Sequence, residues 1–117
     1  MISIIDDDDA VREMLVSLTR SLGYDALGFA SAEEFLAPDD FGRFSCVITD
    51  IHMPGMSGFE LQEQLQQRNE SIPVIMITAR TEPDLERMAV SRGAIGLLRK
   101  PLDIETLVAF IEKALEI

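Results

Sequence analysis

Three carboxylates, one hydroxyl and one ammonium each follow an apolar, strand-like segment of the sequence. The residues are Asp6, Asp7, Asp50, Thr78 and Lys100. Carboxylates that lie close together need a counter-ion to stay ionised, and Mg²⁺ binds one or two of them together with waters and a phosphate oxygen. A lysine adds positive charge for an incoming phosphoryl group, and a hydroxyl adds a hydrogen bond. These groups suit phosphoryl transfer, which depends mainly on positioning and charge neutralisation.

Asp50 is the candidate nucleophile of this set, because aspartyl phosphates are known covalent intermediates. It ends a β-branched run and is followed by the turn Pro54-Gly55. A carboxylate in that place lies at the carboxyl edge of a sheet, where open α/β sheets bind ligands. Taken alone, such an aspartate is more often a turn or capping residue. The functional interpretation therefore depends on the four other residues.

Strand and helix patterns alternate five times along the chain, which predicts a parallel sheet with helices on both faces. Apolar runs predict strands at 2–5, 24–29, 45–49, 73–77 and 94–98. Helical spacing of apolar residues predicts helices at 10–22, 31–36, 59–68, 83–92 and 104–115. Parallel strands all end at one edge of their sheet, so the five polar residues are expected to be neighbours.

Capping residues support the predicted helix boundaries. Ser31 and Ser57 each precede a glutamate by three residues, which is the capping-box pattern. Asp8 and Asp9 are interpreted as caps of the first helix. The register of the four-aspartate run can slip by one residue, which leaves Asp8 as the alternative to Asp7 for a metal ligand.

Length and composition indicate one ordinary globular domain of 117 residues, 47% of them hydrophobic. The formal net charge of −11 repels nucleic-acid phosphates, so no direct nucleic-acid binding is expected. No apolar run is long enough to span a bilayer, and no signal peptide is recognisable. The single cysteine, Cys46, lies in a predicted core strand. These features predict a cytoplasmic protein without membrane association.

Four segments contain the polar residues described above: Ile5-Asp6-Asp7-Asp8, Ile48-Thr49-Asp50-Ile51-His52-Met53-Pro54-Gly55-Met56-Ser57-Gly58, Ile77-Thr78-Ala79 and Lys100-Pro101. Together they resemble the motifs of the receiver domains of two-component response regulators. The resemblance covers essentially all of the chain and implies a single receiver domain, residues 1–117. Two runs, 31–36 and 49–54, are most similar to receivers of the FixJ type, which usually precede a helix-turn-helix domain. The family implies a doubly wound, flavodoxin-like fold with five helices and strand order 2-1-3-4-5.

The resemblance implies a metal site and a phosphoacceptor. Asp50 matches the phosphoacceptor, which is also a metal ligand. Asp7 matches the carboxylate that binds Mg²⁺ directly, and Asp6 matches the carboxylate that orders its waters. The backbone carbonyl of His52 matches a further ligand, and Mn²⁺ is an expected substitute for Mg²⁺. The side chain of His52, the only histidine, is expected to point into solvent, where it would affect the access of water to the phosphoryl group.

The resemblance also implies a switch. Thr78 matches the switch hydroxyl, Lys100 matches the phosphate-binding lysine, and the peptide bond before Pro101 is expected to be cis. The chain departs from the family pattern at Leu97, three positions before the lysine, where an aromatic switch residue is usual. A leucine has no ring to rotate inward behind Thr78. The response is therefore expected to depend on Thr78 and on the segment 79–92.

The predicted function is phosphorylation-controlled signalling, not catalysis on an external substrate. A sensor histidine kinase would supply the phosphoryl group, and the output would be transcriptional control through a C-terminal DNA-binding domain. Homodimerisation on phosphorylation is expected to use the fourth and fifth helices, with Arg87 and Arg92 facing outward.

Two alternatives remain open from the sequence. One is a degenerate receiver that binds partners without phosphorylation, and only Leu97 favours it. The other is an aspartate-nucleophile phosphatase of the haloacid dehalogenase kind. Those enzymes need a second acid two residues after the nucleophile, where this chain has His52.

Overall fold

A five-stranded parallel sheet forms the centre of the computed structural model, which describes residues 1–116. Ile117, the last residue of the predicted domain, lies outside the described residues. The strands are β1 (Ile2–Ile5), β2 (Ala26–Phe29), β3 (Cys46–Asp50), β4 (Val74–Thr78) and β5 (Gly96–Arg99). Their order in the sheet is β2-β1-β3-β4-β5. The predicted doubly wound, flavodoxin-like fold is confirmed.

Five helices cover the two faces of this sheet. They are α1 (Asp9–Ser21), α2 (Ala32–Leu36), α3 (Gly58–Gln67), α4 (Leu85–Ser91) and α5 (Ile104–Leu115). Side chains of α1 and α5 pack with Ile4 and its neighbours on one face. Side chains of α2, α3 and α4 pack with Ile5 and its neighbours on the other. Successive strand residues point to opposite faces, so adjacent isoleucines of one strand serve two separate cores.

Several element boundaries differ from the predictions by one or two residues. Asp50 and Thr78 are the last residues of their strands, not the first residues after them. The helix α4 begins at Leu85, two residues later than predicted, because Pro83 lies in a turn that precedes it. Among residues 1–116, none of the helices has the length and apolar character that crossing a membrane requires.

Local hydrogen bonds explain how α1 and α3 begin beside the sheet edge. The side chain of Asp8 accepts from the amides of Ala10 and Val11, at 3.0 and 3.1 Å. Asp8 therefore caps α1, as one interpretation of the aspartate run predicted. Ser57 and Glu60 form the predicted capping box of α3, with both hydrogen bonds at 3.1 Å.

Candidate functional site

Three aspartates meet at the carboxyl edge of the sheet, as the strand ends predicted. Asp6 follows β1 and is fully buried, Asp7 is exposed, and Asp50 at the end of β3 is 7% exposed. The pairing of Ile5 with Thr49 brings the ends of β1 and β3 side by side. One carboxylate oxygen from each aspartate lies within 4.8 Å of the others. The sequence-predicted acidic cluster is therefore present in the folded chain.

Lys100 lies between two of these carboxylates. Its Nζ donates to Asp50 Oδ2 at 3.0 Å and to Asp6 Oδ2 at 3.1 Å. The peptide bond between Lys100 and Pro101 is cis, as expected. Asp50 and Asp6 precede Lys100 by 50 and 94 positions in the sequence, yet both accept a hydrogen bond from its ammonium group. A mostly buried charge of this kind is stabilised only by partners with good hydrogen-bond geometry, and Lys100 has two.

Burial and charge shift two of the groups in this cluster. Burial raises the pKa of the Asp6 carboxyl, and the negative charge of Asp50 acts in the same direction, against the opposing hydrogen bonds from Asp8 and Lys100. Burial alone would lower the pKa of the Lys100 ammonium, but hydrogen bonds and charges from Asp50 and Asp6 outweigh it and raise that pKa. The two aspartates thus stabilise the ionised form of Lys100, whereas burial works against the ionised form of Asp6.

Backbone contacts hold Asp50 at the start of the β3–α3 loop. The amide of His52 donates to Asp50 Oδ1 at 3.1 Å, so each carboxylate oxygen has one donor. Gly58 donates to the carbonyl of Ile51 at 2.9 Å and packs directly against the backbone of Asp50. The sequence analysis assigned no role to Gly58. Its position directly after the Ser57 cap was the feature that could have indicated close packing at the start of α3.

The side chain of His52 does not point into solvent, and that prediction is wrong. Its ring is half-buried, and Nδ1 lies 3.3 Å from the hydroxyl oxygen of Thr78. The same hydroxyl oxygen accepts from the amide of Arg80 at 3.1 Å. The Thr78 hydroxyl is thus engaged by the residues after both β3 and β4. Periodicity could not show this contact, because it depends on the conformations of two loops.

A further contact that the sequence interpretation missed lies on β5. The guanidinium of Arg99 donates to the carbonyl of Arg80 at 2.6 Å and to the carbonyl of Glu82 at 3.1 Å. Both acceptors lie in the β4–α4 loop, residues 79–84. Leu97 is 9% exposed and belongs to the same core cluster as Leu85 of α4.

Arg92 is exposed, as predicted, with a side chain that is 40% exposed, but its guanidinium is directed at α3. Its guanidinium lies 4.7 Å from the ring centre of Phe59 and 3.2 Å from Glu63 Oε1, and both partners belong to α3. Arg87 also points outward and is more exposed, at 78% of its side chain, and it pairs with Asp84. The two arginines differ because only Arg92, at the end of α4, is within reach of α3.

Comparison with known proteins identifies the family. The family model described as response regulator receiver domain matches residues 2–112 of the chain. The chain is a receiver domain of the response regulator family. Receiver domains are signalling modules, and they bind Mg²⁺ at an acidic pocket. Response regulators act with histidine kinases and often carry DNA-binding output domains.

Individual relatives support the assignment to the FixJ-like receivers. The response regulator TodT of Pseudomonas putida is 38% identical over 117 residues, which cover 100% of this chain and 52% of TodT. FixJ of Bradyrhizobium diazoefficiens is 34% identical over 97% of this receiver and 56% of FixJ. The crystal structure of FixJ-N matches with a TM-score of 0.88 and 34% identity, over 98% of this chain and 92% of FixJ-N. This receiver spans about half the length of these curated relatives.

The acidic pocket of this receiver fits a hard divalent cation. Its three carboxylate oxygens spread over no more than 4.8 Å, and two oxygens on opposite sides of a Mg²⁺ ion are about 4 Å apart at Mg–O distances of about 2.0–2.1 Å. Three carboxylates meet here and the ammonium of Lys100 bridges two of them, so a divalent cation would offset the remaining negative charge. Asp6, Asp7 and Asp50 are therefore suitable ligands, directly or through ordered water, for Mg²⁺ or Mn²⁺.

Proposed function

We propose that this receiver accepts a phosphoryl group on Asp50 from a phosphohistidine of a sensor kinase, with Mg²⁺ bound in the acidic pocket. The observation that carries the proposal is the bridge from Lys100 Nζ to Asp50 and Asp6, at 3.0 and 3.1 Å, beside a third carboxylate within 4.8 Å. Phosphoryl transfer needs a positioned nucleophile and neutralised charge more than covalent assistance, and this arrangement supplies both.

In the proposed reaction a carboxylate oxygen of Asp50 attacks phosphorus. The new bond joins that oxygen to phosphorus, the bond from phosphorus to the imidazole nitrogen breaks, and the leaving imidazole keeps the electron pair and becomes protonated. The His52 amide holds the carboxylate in place through Oδ1. Lys100 is close enough to Asp50 to pair with the phosphoryl oxygens. Bound Mg²⁺ supplies further positive charge, and the backbone carbonyl of His52 is proposed as one of its ligands.

The signal would then pass through Thr78. Its hydroxyl is now shared between His52 Nδ1 and the Arg80 amide. A phosphoryl group on Asp50 offers stronger, charged acceptors, so the Thr78 hydroxyl would turn to donate to one of them. The population would shift between two conformations that bind partners differently. The receiver would catalyse only its own phosphorylation and hydrolysis.

We also propose that the whole chain, residues 1–117, acts as one domain that controls transcription through a C-terminal DNA-binding domain. The longer relatives support this proposal. A homodimer formed on phosphorylation would use α4 and α5, where Val90 is 51% and Ile104 is 53% exposed. Arg87 is available at that surface, whereas Arg92 is occupied by α3.

Intact mass spectrometry tests the central proposal. The wild-type chain is incubated with Mg²⁺ and acetyl phosphate, and we expect the addition of one phosphoryl group. Asp50→Asn should abolish the addition, whereas Asp40→Asn, at an exposed loop position, should not change it. A wild-type chain that takes up no phosphoryl group would contradict the proposal and favour the degenerate receiver. Rapid turnover of unrelated phosphomonoesters would instead favour the phosphatase.

A further inference from the structure

One face of β5 carries two side chains directed at α4 and at the loop before it. Leu97 packs in the core cluster that contains Leu85 and Ala89 of α4. Arg99 follows two residues later, and side chains two positions apart in a strand share a face. Arg99 pairs with Thr78 in the register of β4 and β5. The Arg99 side chain therefore begins beside Thr78, and its guanidinium reaches the β4–α4 loop.

Arg99 holds this loop by its backbone. Its Nη1 donates to the carbonyl of Arg80 at 2.6 Å, and its Nη2 donates to the carbonyl of Glu82 at 3.1 Å. The guanidinium stays charged at any physiological pH and presents its donors in a rigid fork. Hydrogen bonds from a charged donor belong to the strong class. The loop itself has little internal bonding: the amide of Leu85 lies 3.4 Å from the same carbonyl of Glu82.

Arg80 is bonded on both sides of its backbone. Its amide donates to the Thr78 hydroxyl at 3.1 Å, and its carbonyl accepts from Arg99. If the Thr78 hydroxyl turns toward a phosphoryl group, the Arg80 amide either loses this oxygen as its acceptor or moves with it. The carbonyl of the same residue then moves relative to Arg99. A rotation at Thr78 and the hold of Arg99 on the loop are thus mechanically linked through one residue.

We propose that Arg99 couples Thr78 to the β4–α4 loop and fills the role of the aromatic switch residue that Leu97 replaces. The proposal goes beyond the proposed phosphorylation of Asp50 and depends on it for the activated state. In the free protein Arg99 fixes the loop in one position. On phosphorylation the movement of Arg80 weakens this hold, and the loop and the start of α4 take up a second position.

Hydrogen–deuterium exchange of the segment 79–84 in the free protein tests the hold itself. Arg99→Ala removes two charge-assisted hydrogen bonds, so we expect the exchange of this segment to become about tenfold faster or more. Arg99→Lys retains the charge but can reach only one carbonyl, so an intermediate rate is expected. Arg87→Ala is the matched control, because that arginine pairs with Asp84 through an exposed side chain and should leave the rate unchanged.

Exchange in the presence of Mg²⁺ and beryllofluoride, a phosphoryl analogue, tests the coupling. In the wild type we expect faster exchange of segment 79–84 on adding the analogue, and in Arg99→Ala we expect this difference to be lost. Phosphorylation of Arg99→Ala by acetyl phosphate, measured by intact mass, should proceed at the wild-type rate. The variant Arg99→Lys keeps the charge and one of the two hydrogen bonds. An intermediate result for this variant would show that a defect of Arg99→Ala follows the lost hydrogen bonds and not general misfolding.

Three results would overturn the proposal. The first is that segment 79–84 of free Arg99→Ala exchanges at the wild-type rate, and the second is that its exchange in that variant still responds fully to the analogue. The third is that Arg87→Ala speeds the exchange of the segment as much as Arg99→Ala does. Failure of the proposed function gives a different pattern. The wild type would then take up no phosphoryl group, while the free-state exchange of Arg99→Ala would still support or overturn the hold on the loop.

Discussion

A Cβ atom added to Gly58 would lie 2.6 Å from the backbone carbonyl oxygen of Asp50. The same atom would lie 3.1 Å from the Cα of Ile51. Both neighbours are backbone atoms at the end of β3, so neither can turn away as a side chain would. The first residue of α3 is therefore packed against the residue that carries the proposed chemistry.

Gly58→Ala should lower the free energy of unfolding by about 1–3 kcal/mol, the usual cost of overpacking. Alanine is favoured over glycine in a helix by about 1 kcal/mol, which is too little to compensate for displaced backbone. We also expect slower phosphorylation, because the displacement reaches Asp50. Urea unfolding measures the first effect. Gly42→Ala is the control, since its nearest neighbour is a side-chain atom at 3.9 Å, and equal losses in both variants would contradict the packing explanation.

Lys100→Gln should slow phosphorylation by acetyl phosphate by about 10²–10³-fold, the typical loss when one pre-positioned charge-stabilising donor is removed. The variant leaves Asp50 and Asp6 without their shared ammonium. The chain offers a matched control in its second lysine, because Lys113 is exposed on α5 and Lys113→Gln should react at the wild-type rate. Time-resolved intact mass gives both rates. A wild-type rate for Lys100→Gln would show that Lys100 has no part in the transfer.

Asp6 should make the stability of the metal-free protein depend on pH. Its pKa is raised by burial in the folded state, so the folded chain binds this proton more tightly than the unfolded chain does. The free energy of unfolding of the wild type, relative to Asp6→Asn, should therefore fall as pH rises from the unfolded-state pKa to the raised folded-state pKa. The fall is about 1.4 kcal/mol for each unit between the two values.

Urea titrations of wild type and Asp6→Asn in EDTA, from acid to neutral pH, measure this difference. Mg²⁺ should restore stability to the wild type by binding the folded state, with a gain of about 2.7 kcal/mol at 100 times its dissociation constant. Asp6→Asn should gain less from Mg²⁺. A relative stability that rises with pH in EDTA would show that the Asp6 carboxylate is stabilised, not strained, in the metal-free fold.

His52→Ala should shorten the lifetime of the phosphorylated protein. The ring is half-buried beside Thr78, and the amide of the same residue is bonded to Asp50, so removal of the ring should open a path for water to the phosphoryl group. The decay of the phosphorylated mass after removal of acetyl phosphate measures the lifetime. His52→Gln retains a side chain of comparable reach and should decay at an intermediate rate. If His52→Ala decays like the wild type, the ring does not control the access of water.

The alternation of strand and helix patterns was sufficient to predict a parallel sheet, and the resemblance to receiver domains supplied the strand order. Parallel strands end at a common edge, so Asp6 and Lys100 meet Asp50 once the strand order is correct. The boundaries were less predictable. Pro83 could begin a helix by its own geometry, but the structure places it in a turn before α4. Local sequence is consistent with either outcome, and the burial of Leu85, the first residue of α4, in the core selects one.

The sequence by itself determined which residues lie at the carboxyl edge of the sheet, because parallel strands all end at that edge. The tertiary structure decided where the long or rotatable side chains point. His52 contacts Thr78, Arg92 lies against α3, and Arg99 holds the β4–α4 loop. Each of these contacts joins residues that are distant in sequence. Their reach depends on loop conformations, and no periodic pattern in the sequence encodes those conformations.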